Sequence, residues 1–255
     1  MLETYLRNRL KDKGLLLMTH IVLGYPSFRE SFEIVEAMVA AGVDLMELQI
    51  PFSEPIADGP VILKANQESL AAGATVNECF EFAQKATQIF DIPFLFMSYY
   101  NILYKYGMSQ FSRRMKQTGI RGAIVPDLPP EEGEEYLAEM TSLGLDPVFI
   151  FSPNTPIDRM HYISEFGSGF IYCVARKGVT GSETDFSEAV TDYLQTCRKA
   201  THLPLALGFG VKGKTDIDFL KGKADIAVIG SQTIRLIEKE GVEAVKRFIW
   251  DITRR

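Results

Sequence analysis

Cysteine, histidine and tryptophan are scarce in this 255-residue chain, which has 3 Cys, 3 His and 1 Trp. Cys79, Cys173 and Cys197 lie far apart, without C-x-x-C spacing and without a neighbouring histidine. That argues against a disulfide framework and against a Cys/His metal site. Cys173, next to Tyr172, is read as a small buried hydrophobe. An excess of one charge is also missing. The 27 Lys+Arg and 33 Asp+Glu give a net charge of -6, with the signs interspersed, whereas a nucleic-acid footprint needs a basic stripe.

Long hydrophobic runs are absent too. The most apolar stretches, Gly14 to Gly24 and Ile92 to Tyr104, are interrupted by His20, Ser98 and Asn101 and fall short of the roughly 20 residues of a spanning helix. Met1 to Arg7 carries no apolar core of a signal peptide. The expectation is a cytoplasmic protein with neither membrane nor nucleic acid as partner.

What is present is ordinary for a globular chain: 46% apolar, 24% charged and 11% aromatic residues. A chain of this length buries roughly 70–75% of its unfolded surface. Eight short β-rich runs stand out: Leu15 to Leu23, Leu45 to Ile50, Phe94 to Ser98, Gly122 to Val125, Pro147 to Phe151, Gly169 to Val174, Leu203 to Leu207 and Ala224 to Ile229. Between them lie helical patterns: Phe28 to Ala41, Thr75 to Ile89, Ser109 to Thr118, Pro130 to Leu143, Pro156 to Phe166, Glu188 to Ala200, Thr215 to Leu220 and Ser231 to Ile252. Ser27 with Glu30 reads as a capping box, and Gly42, Gly119, Gly144 and Gly167 close helices ahead of strands.

Eight βα units without a linker predict an α/β fold, a single (β/α)8 TIM barrel over residues 1–255, with Leu2 to Lys13 as an extra N-terminal helix across its bottom. A doubly wound open sheet is the alternative, but no strand runs directly into a G-x-G-x-x-G turn. In a barrel the chemistry belongs at the C-terminal ends of the strands.

In the second strand Met46, Leu48 and Ile50 read as facing the helices, which turns Leu45, Glu47 and Gln49 inward. A carboxyl group there is costly unless paired, solvated or protonated. Apolar surroundings predict a raised pKa, suited to a general acid/base. The competing reading is a Glu tied to Gln49 or His20 by an internal hydrogen bond. The Pro- and Gly-rich loop Pro51 to Pro60 holds Asp58 above the strand end, as a second carboxylate or as a common Asp-Gly turn.

Glycines gather in the last three βα loops: Gly178 to Gly181, Gly208 to Gly210, and Gly230-Ser231 at the start of the final helix. Close backbone approach and free N–H groups at a helix start suit a phosphate, although tight turn geometry accounts for glycines as well. Tyr172 shares its face with Phe170 and Val174, and Ala175 to Thr184 is polar enough to serve as a lid. Tyr99, Ile124, Ile150 and Phe209 are candidate walls for a flat aromatic group. Two carboxylates, an apolar mouth and an anion seat suit acid/base carbon chemistry on a phosphorylated small molecule, without a metal.

At these residues the sequence closely resembles the tryptophan synthase alpha subunit family over essentially its whole length. The segments that carry the resemblance are Leu45 to Pro60, Ser98 to Asn101, Val125 to Pro130, Gly178 to Gly181, Gly208 to Gly210 and Gly230-Ser231. The first is very specific; the glycine-rich ones recur in other phosphate-binding barrels. The resemblance implies retro-aldol cleavage of indole-3-glycerol phosphate to indole and glyceraldehyde 3-phosphate. Glu47 then matches the acid/base, Asp58 the residue that hydrogen-bonds the indole N–H, Tyr172 a tyrosine near the acid, and Thr180 a lid threonine. Gly181, Gly208, Gly210, Gly230 and Ser231 match the phosphate cradle.

The resemblance further implies a beta subunit that takes the indole and holds pyridoxal phosphate, in a two-alpha, two-beta complex. This chain would hold no cofactor of its own. The Pro51 to Pro60 loop, the Asn101 and Pro129 regions and the lid are the docking surfaces it implies. Three residues depart from the family pattern. Gln49 stands where many relatives have Gly, within hydrogen-bonding reach of Glu47, and predicts a shifted acid/base pKa. Glu54 replaces the usual Asp, and His20 takes an inward position that is often apolar or aromatic. A stand-alone lyase, a non-catalytic activator of the beta chain and an unrelated phosphate-binding barrel are the competing functions.

Overall fold

A computed structural model describes residues 1–174, 188–208 and 210–253. It contains all eight expected strands: β1 (Leu16–Val22), β2 (Leu45–Gln49), β3 (Phe94–Met97), β4 (Gly122–Ile124), β5 (Asp146–Phe151), β6 (Ile171–Val174), β7 (Leu205–Gly208) and β8 (Ile226–Ile229). They pair in parallel in chain order, and β8 closes on β1. Around them run α1 (Leu2–Lys13), α2 (Phe28–Ala40), α3 (Pro60–Ala71), α4 (Val76–Ile89), α5 (Tyr100–Tyr106), α6 (Met108–Gln117), α7 (Glu134–Leu143), α8 (Ile157–Phe166), α9 (Glu188–Ala200), α10 (Lys214–Leu220), α11 (Ser231–Glu240) and α12 (Val242–Thr253). The TIM barrel read from the sequence is the observed fold.

Strand parity divides the core in two. Leu17, Ile21, Met46, Leu48, Phe94, Phe96 and Phe149 join the apolar layer under the helices. Leu16, Met18, Leu45, Leu95, Ile124, Val148 and Phe170 fill the barrel interior. Glu47 and Gln49 therefore point inward, as the alternation requires, and both are buried.

Local signals explain two helix starts. The Ser27 hydroxyl accepts the Glu30 N–H at 3.2 Å, and Thr75 with Glu78 forms a complete capping box. Four segments differ from expectation. Helix α3 buries Asn66 and Ser69 along with Ile62 and Ala65, so polar residues on its inner face mask its period. Helix α5 has only 7 residues and no side-chain cap. The segment read as one helix from Pro130 begins as a 3-10 turn over Pro130–Glu132 before α7. The expected C-terminal helix is two helices, because Gly241 at φ 81 breaks it between α11 and α12.

Helix α1 closes the bottom of the barrel. Leu2 and Leu6, at 1% and 0% exposure, pack with Leu16, Met18 and Phe170. Three carboxylates fasten this end. Asp44 accepts the Leu17 N–H at 3.0 Å and pairs with Arg9 and Lys13 of α1. Asp146 accepts the Leu2 N–H at 3.3 Å and the Ser168 hydroxyl at 2.8 Å. Asp225 accepts the Leu205 N–H at 2.7 Å and pairs with Arg198. Truncating Leu6 should leave a cavity at the base, far from the strand C-termini. Leu6→Ala is expected to lower unfolding stability by about 2–5 kcal/mol in urea titrations, with unchanged activity per folded molecule. A loss under 1 kcal/mol would mean that α1 is not part of the core.

Candidate active site

The strand C-termini surround a cavity of about 300 Å³, at the lower end of the range for small-molecule sites. Polar groups line one side: His20 at the level of Glu47 on β2, and Asp58 from the loop after β2. Ile62, Met97, Ile124, Ile150, Val174 and Val228 supply apolar walls, with Tyr172 among them. Gly210, Gly230, Ser231, Lys212 and Arg235 lie on the rim formed by β7, β8 and α11. Gly230 is the N-cap of α11 and Ser231 its first residue, so backbone N–H groups and the positive end of the helix dipole meet an anion there.

Glu47 is 4% exposed. Its Oε1 lies 3.0 Å from Nδ1 of His20, the residue directly opposite it on β1. Its Oε2 is buried without a hydrogen-bond partner among the described residues. Half of the competing reading is thus realised: one oxygen is tied to His20, and the other is not. Gln49 does not take the expected partner. Its Nε2 donates to Asp58 Oδ2 at 2.6 Å and to Asn66 Oδ1 at 3.4 Å, because α3 and the preceding loop fold back over the end of β2.

Asp58 also accepts the Tyr99 hydroxyl at 3.1 Å, and that hydroxyl accepts the Ala57 N–H at 3.1 Å. The Asp-Gly sequence is therefore more than a turn, since its carboxylate is aimed back into the barrel mouth by two donors. Tyr99 is fully buried and stacks on Phe52 at 5.2 Å. It stands behind Asp58 rather than among the cavity-lining residues, so it fixes a carboxylate instead of forming the expected wall.

Gly208 differs in a similar way. A Cβ built on it would lie 2.4 Å from Tyr172 Cε1 and 2.6 Å from its hydroxyl oxygen. The missing side chain is space taken by the tyrosine ring, and Gly208 is not a cavity-lining residue. Gly230 packs on His20, which a methyl group there would meet at 3.5 Å. Thr180, Gly181 and Phe209, together with the lid segment Ala175 to Thr184, lie outside the described residues. The sequence reading missed Lys212, Arg235 and Asn66. Lys212 sits two residues beyond Gly210 and Arg235 five beyond Gly230, and Asn66 lies in the unrecognised helix.

Burial raises the pKa of Asp58. The charge of His20 and the hydrogen bonds from Gln49 and Tyr99 oppose the rise, and Glu47 adds to it. Burial, then the charges of Glu47 and Asp58, push the Tyr172 hydroxyl well above its ordinary value. Among the described residues no group of His, Cys, Asp and Glu could hold a metal ion.

Fold and site together define a barrel enzyme that faces titratable groups across an apolar mouth from a helix-start anion seat. A family model described as tryptophan synthase alpha chain matches residues 6–250. The tryptophan synthase alpha chains of Syntrophotalea carbinolica and Desulforapulum autotrophicum are 64% and 63% identical to this chain over 249 residues, 98% of each chain. A Mycobacterium tuberculosis tryptophan synthase structure superposes with a TM-score of 0.93 at 26% identity, covering 99% of this chain and 96% of its own. The chain belongs to the tryptophan synthase alpha chain family.

The raised Asp58 pKa has a consequence for stability. A carboxyl group whose folded pKa exceeds its unfolded value contributes stability below the unfolded pKa, here about 3.8, and that contribution is lost as pH rises through the folded pKa. Asp58→Asn keeps an oxygen for Gln49 and Tyr99 and removes the half-buried charge. Thermal melts from pH 3 to pH 8 should show a higher midpoint for Asp58→Asn than for the parent at neutral pH, with the gap shrinking towards pH 3. An equal or lower midpoint at pH 7 would contradict the raised pKa.

Proposed function

We propose that Glu47, Asp58 and Tyr172 carry the reaction of the family, cleavage of indole-3-glycerol phosphate into indole and glyceraldehyde 3-phosphate. The chain is a lyase of tryptophan biosynthesis. It works with a beta subunit that consumes the indole, and the pyridoxal phosphate of the complex belongs to that beta chain. The observation that carries the residue assignment is the arrangement of Glu47, which lines the cavity with Oε1 held by His20 and with Oε2 buried without a partner among the described residues.

The chemistry needs one group to act twice. Glu47 in its acid form gives a proton to indole C3, leaving positive charge on the ring. Asp58, held by Gln49 and Tyr99, accepts the indole N–H and stabilises that charge. The Glu47 carboxylate then takes the proton of the glycerol hydroxyl next to the ring. The bond from that carbon to C3 breaks, its electrons return to the ring, and the alcohol becomes the aldehyde. The proton count closes with Glu47 again in its acid form. Tyr172 stays protonated because of its burial and the nearby carboxylates, so it serves as a hydroxyl beside Glu47. Ile124 and Ile150, with Met97, contact the indole. Gly210, Gly230 and Ser231 hold the phosphate, with Lys212 and Arg235 adding positive charge. Gly208 acts on this site through Tyr172. Thr180, Gly181 and Phe209 keep the roles that the resemblance gives them.

Ile56 and Tyr104, at 71% and 67% exposure, present apolar surface from the β2 loop and α5, which suits docking of the beta chain there. Residues 1–255 are read as one domain because β8 closes on β1. The cytoplasm suits three free cysteines, and no helix among the described residues is long and apolar enough to cross a membrane.

Indole release from indole-3-glycerol phosphate, followed with and without a beta chain, tests the assignment. Release is expected in both cases and faster with the partner. Glu47→Gln should reduce it by about 10²–10⁴-fold while substrate affinity stays within a few-fold. Full activity in Glu47→Gln would remove Glu47 from the acid/base role.

A further inference from the structure

In the reaction proposed above, one carboxyl group alternates between acid and base in a place that water scarcely reaches. The group that touches it is His20, itself 4% exposed. The β1–β2 register sets His20 opposite Glu47, with Nδ1 3.0 Å from Oε1. The remaining nitrogen of His20, Nε2, and the remaining oxygen of Glu47, Oε2, are both buried without hydrogen-bond partners among the described residues. On its other side the imidazole packs on Gly230 at the start of α11, so His20 stands between the acid and the anion seat. Gln49, two residues beyond Glu47 on the same inward row, restrains Asp58 in the same manner.

We propose that His20 is a positioning residue for the acid/base step: it clamps Glu47 through Oε1, leaves Oε2 as the one oxygen that trades protons with substrate, and shares the working proton with that carboxyl group. The inference rests on the function proposed above. In the state with one exchangeable proton the pair is neutral overall, and it reacts as a neutral imidazole that donates Nδ1–H to Oε1 beside a carboxylic acid protonated on Oε2. When Glu47 gives its proton to carbon, Nδ1–H of His20 remains as a donor to the carboxylate left behind. When the hydroxyl proton arrives at Oε2, the pair returns to its starting state. No proton is gained or lost over the cycle.

The surroundings agree with a shared proton. Burial works against a charged His20, but the charge and hydrogen bond of Glu47, followed by Asp58 and the Gln49 amide, outweigh it and raise its pKa above 6.5. Tyr172 from β6, Lys212 from the loop after β7 and Arg235 from α11 line the same cavity. Strand β1 contributes no other titratable group. The pair should therefore keep its proton to higher pH than a free histidine, and lose it as pH rises through the folded His20 pKa.

Two measurements test the pair. Imidazole NMR on the intact chain can resolve three histidines, of which His161 and His202 are exposed and serve as internal references. The His20 titration should move downward in Glu47→Gln while the other two stay in place. In kinetics with the beta chain present, His20→Leu should lower kcat by about 10²-fold, leave KM within a few-fold and displace the high-pH limb of the profile. His20→Gln offers Glu47 an amide donor without a titration, so it should recover much of kcat but not the limb. This variant also carries the kinetic test if His20→Leu does not fold. Unchanged kcat in His20→Leu, or a loss of kcat with an unmoved pH limb in both variants, would overturn the proposal. The NMR arm needs no substrate: an unmoved His20 titration overturns the pairing even where indole is released. A moved titration in a chain that releases no indole overturns the proposed function instead.

Discussion

A carboxyl group walled inside a parallel barrel has to be given partners or give up its charge, and the barrel meets that demand differently at its two ends. At the bottom, Asp44 and Asp225 receive both a strand N–H and a cationic side chain, while Asp146 receives the Leu2 N–H and a serine hydroxyl. Both oxygens of Asp44 and of Asp146 are engaged, so these groups fasten strands to one another and to α1. At the top, Glu47 has His20 on one oxygen and, among the described residues, nothing on the other. Saturated carboxylates hold the cylinder closed, and an unsaturated one is left where a substrate can complete it.

The two carboxylates at the mouth differ in the same terms. Asp58 is restrained by two neutral donors, Gln49 and Tyr99, both on Oδ2. That arrangement fixes direction and favours an acceptor, which suits a group that receives an N–H. Glu47 is restrained by a partner that can itself carry a proton, which suits a group that must give one and recover it. Tyr172 completes the site by steric means, since its ring occupies the space that the absent Gly208 side chain leaves beside it. Chemistry and packing thus converge where His20, Glu47 and Tyr172 line one cavity.

Strand parity made this level legible in the sequence. The run Leu45 to Gln49 alternates clearly enough that the inward direction of Glu47 followed from period alone, and the glycines before Ser231 marked the anion seat. The helices were legible where a cap or a strong apolar stripe announced them, as in α2 and α4. Helix α3 was hidden because its buried face carries Asn66 and Ser69, which are satisfied by Ile62, Phe52 and Leu23 backbone groups only after folding. Partners were the other limit. Gln49 adjoins Glu47 in sequence, yet its amide turns to Asp58, since the loop between them returns over the strand end. Tyr99 was read as a wall because nothing local says that Asp58 arrives in front of it. Contacts between elements depend on register and loop path, which periodicity does not encode.

The same register explains why His20 and Gln49 belong together. They flank Glu47 on adjacent inward rows, and each answers a different carboxylate. With an apolar residue in place of His20, Glu47 would lose the neighbour that holds Oε1, while Asp58 would keep both of its donors. With glycine in place of Gln49, Asp58 would keep Tyr99 as its one donor among the described residues, and the Asn66 Oδ1 that also faces Gln49 would keep the Phe52 N–H. Either change alone leaves one arm of the site constrained and the other loose. In the proposed reaction both steps need Glu47 and Asp58 at fixed positions around a single indole ring, so the two polar residues would act as matched restraints, linked through the charge of His20, which bears on Asp58 as well as on Glu47.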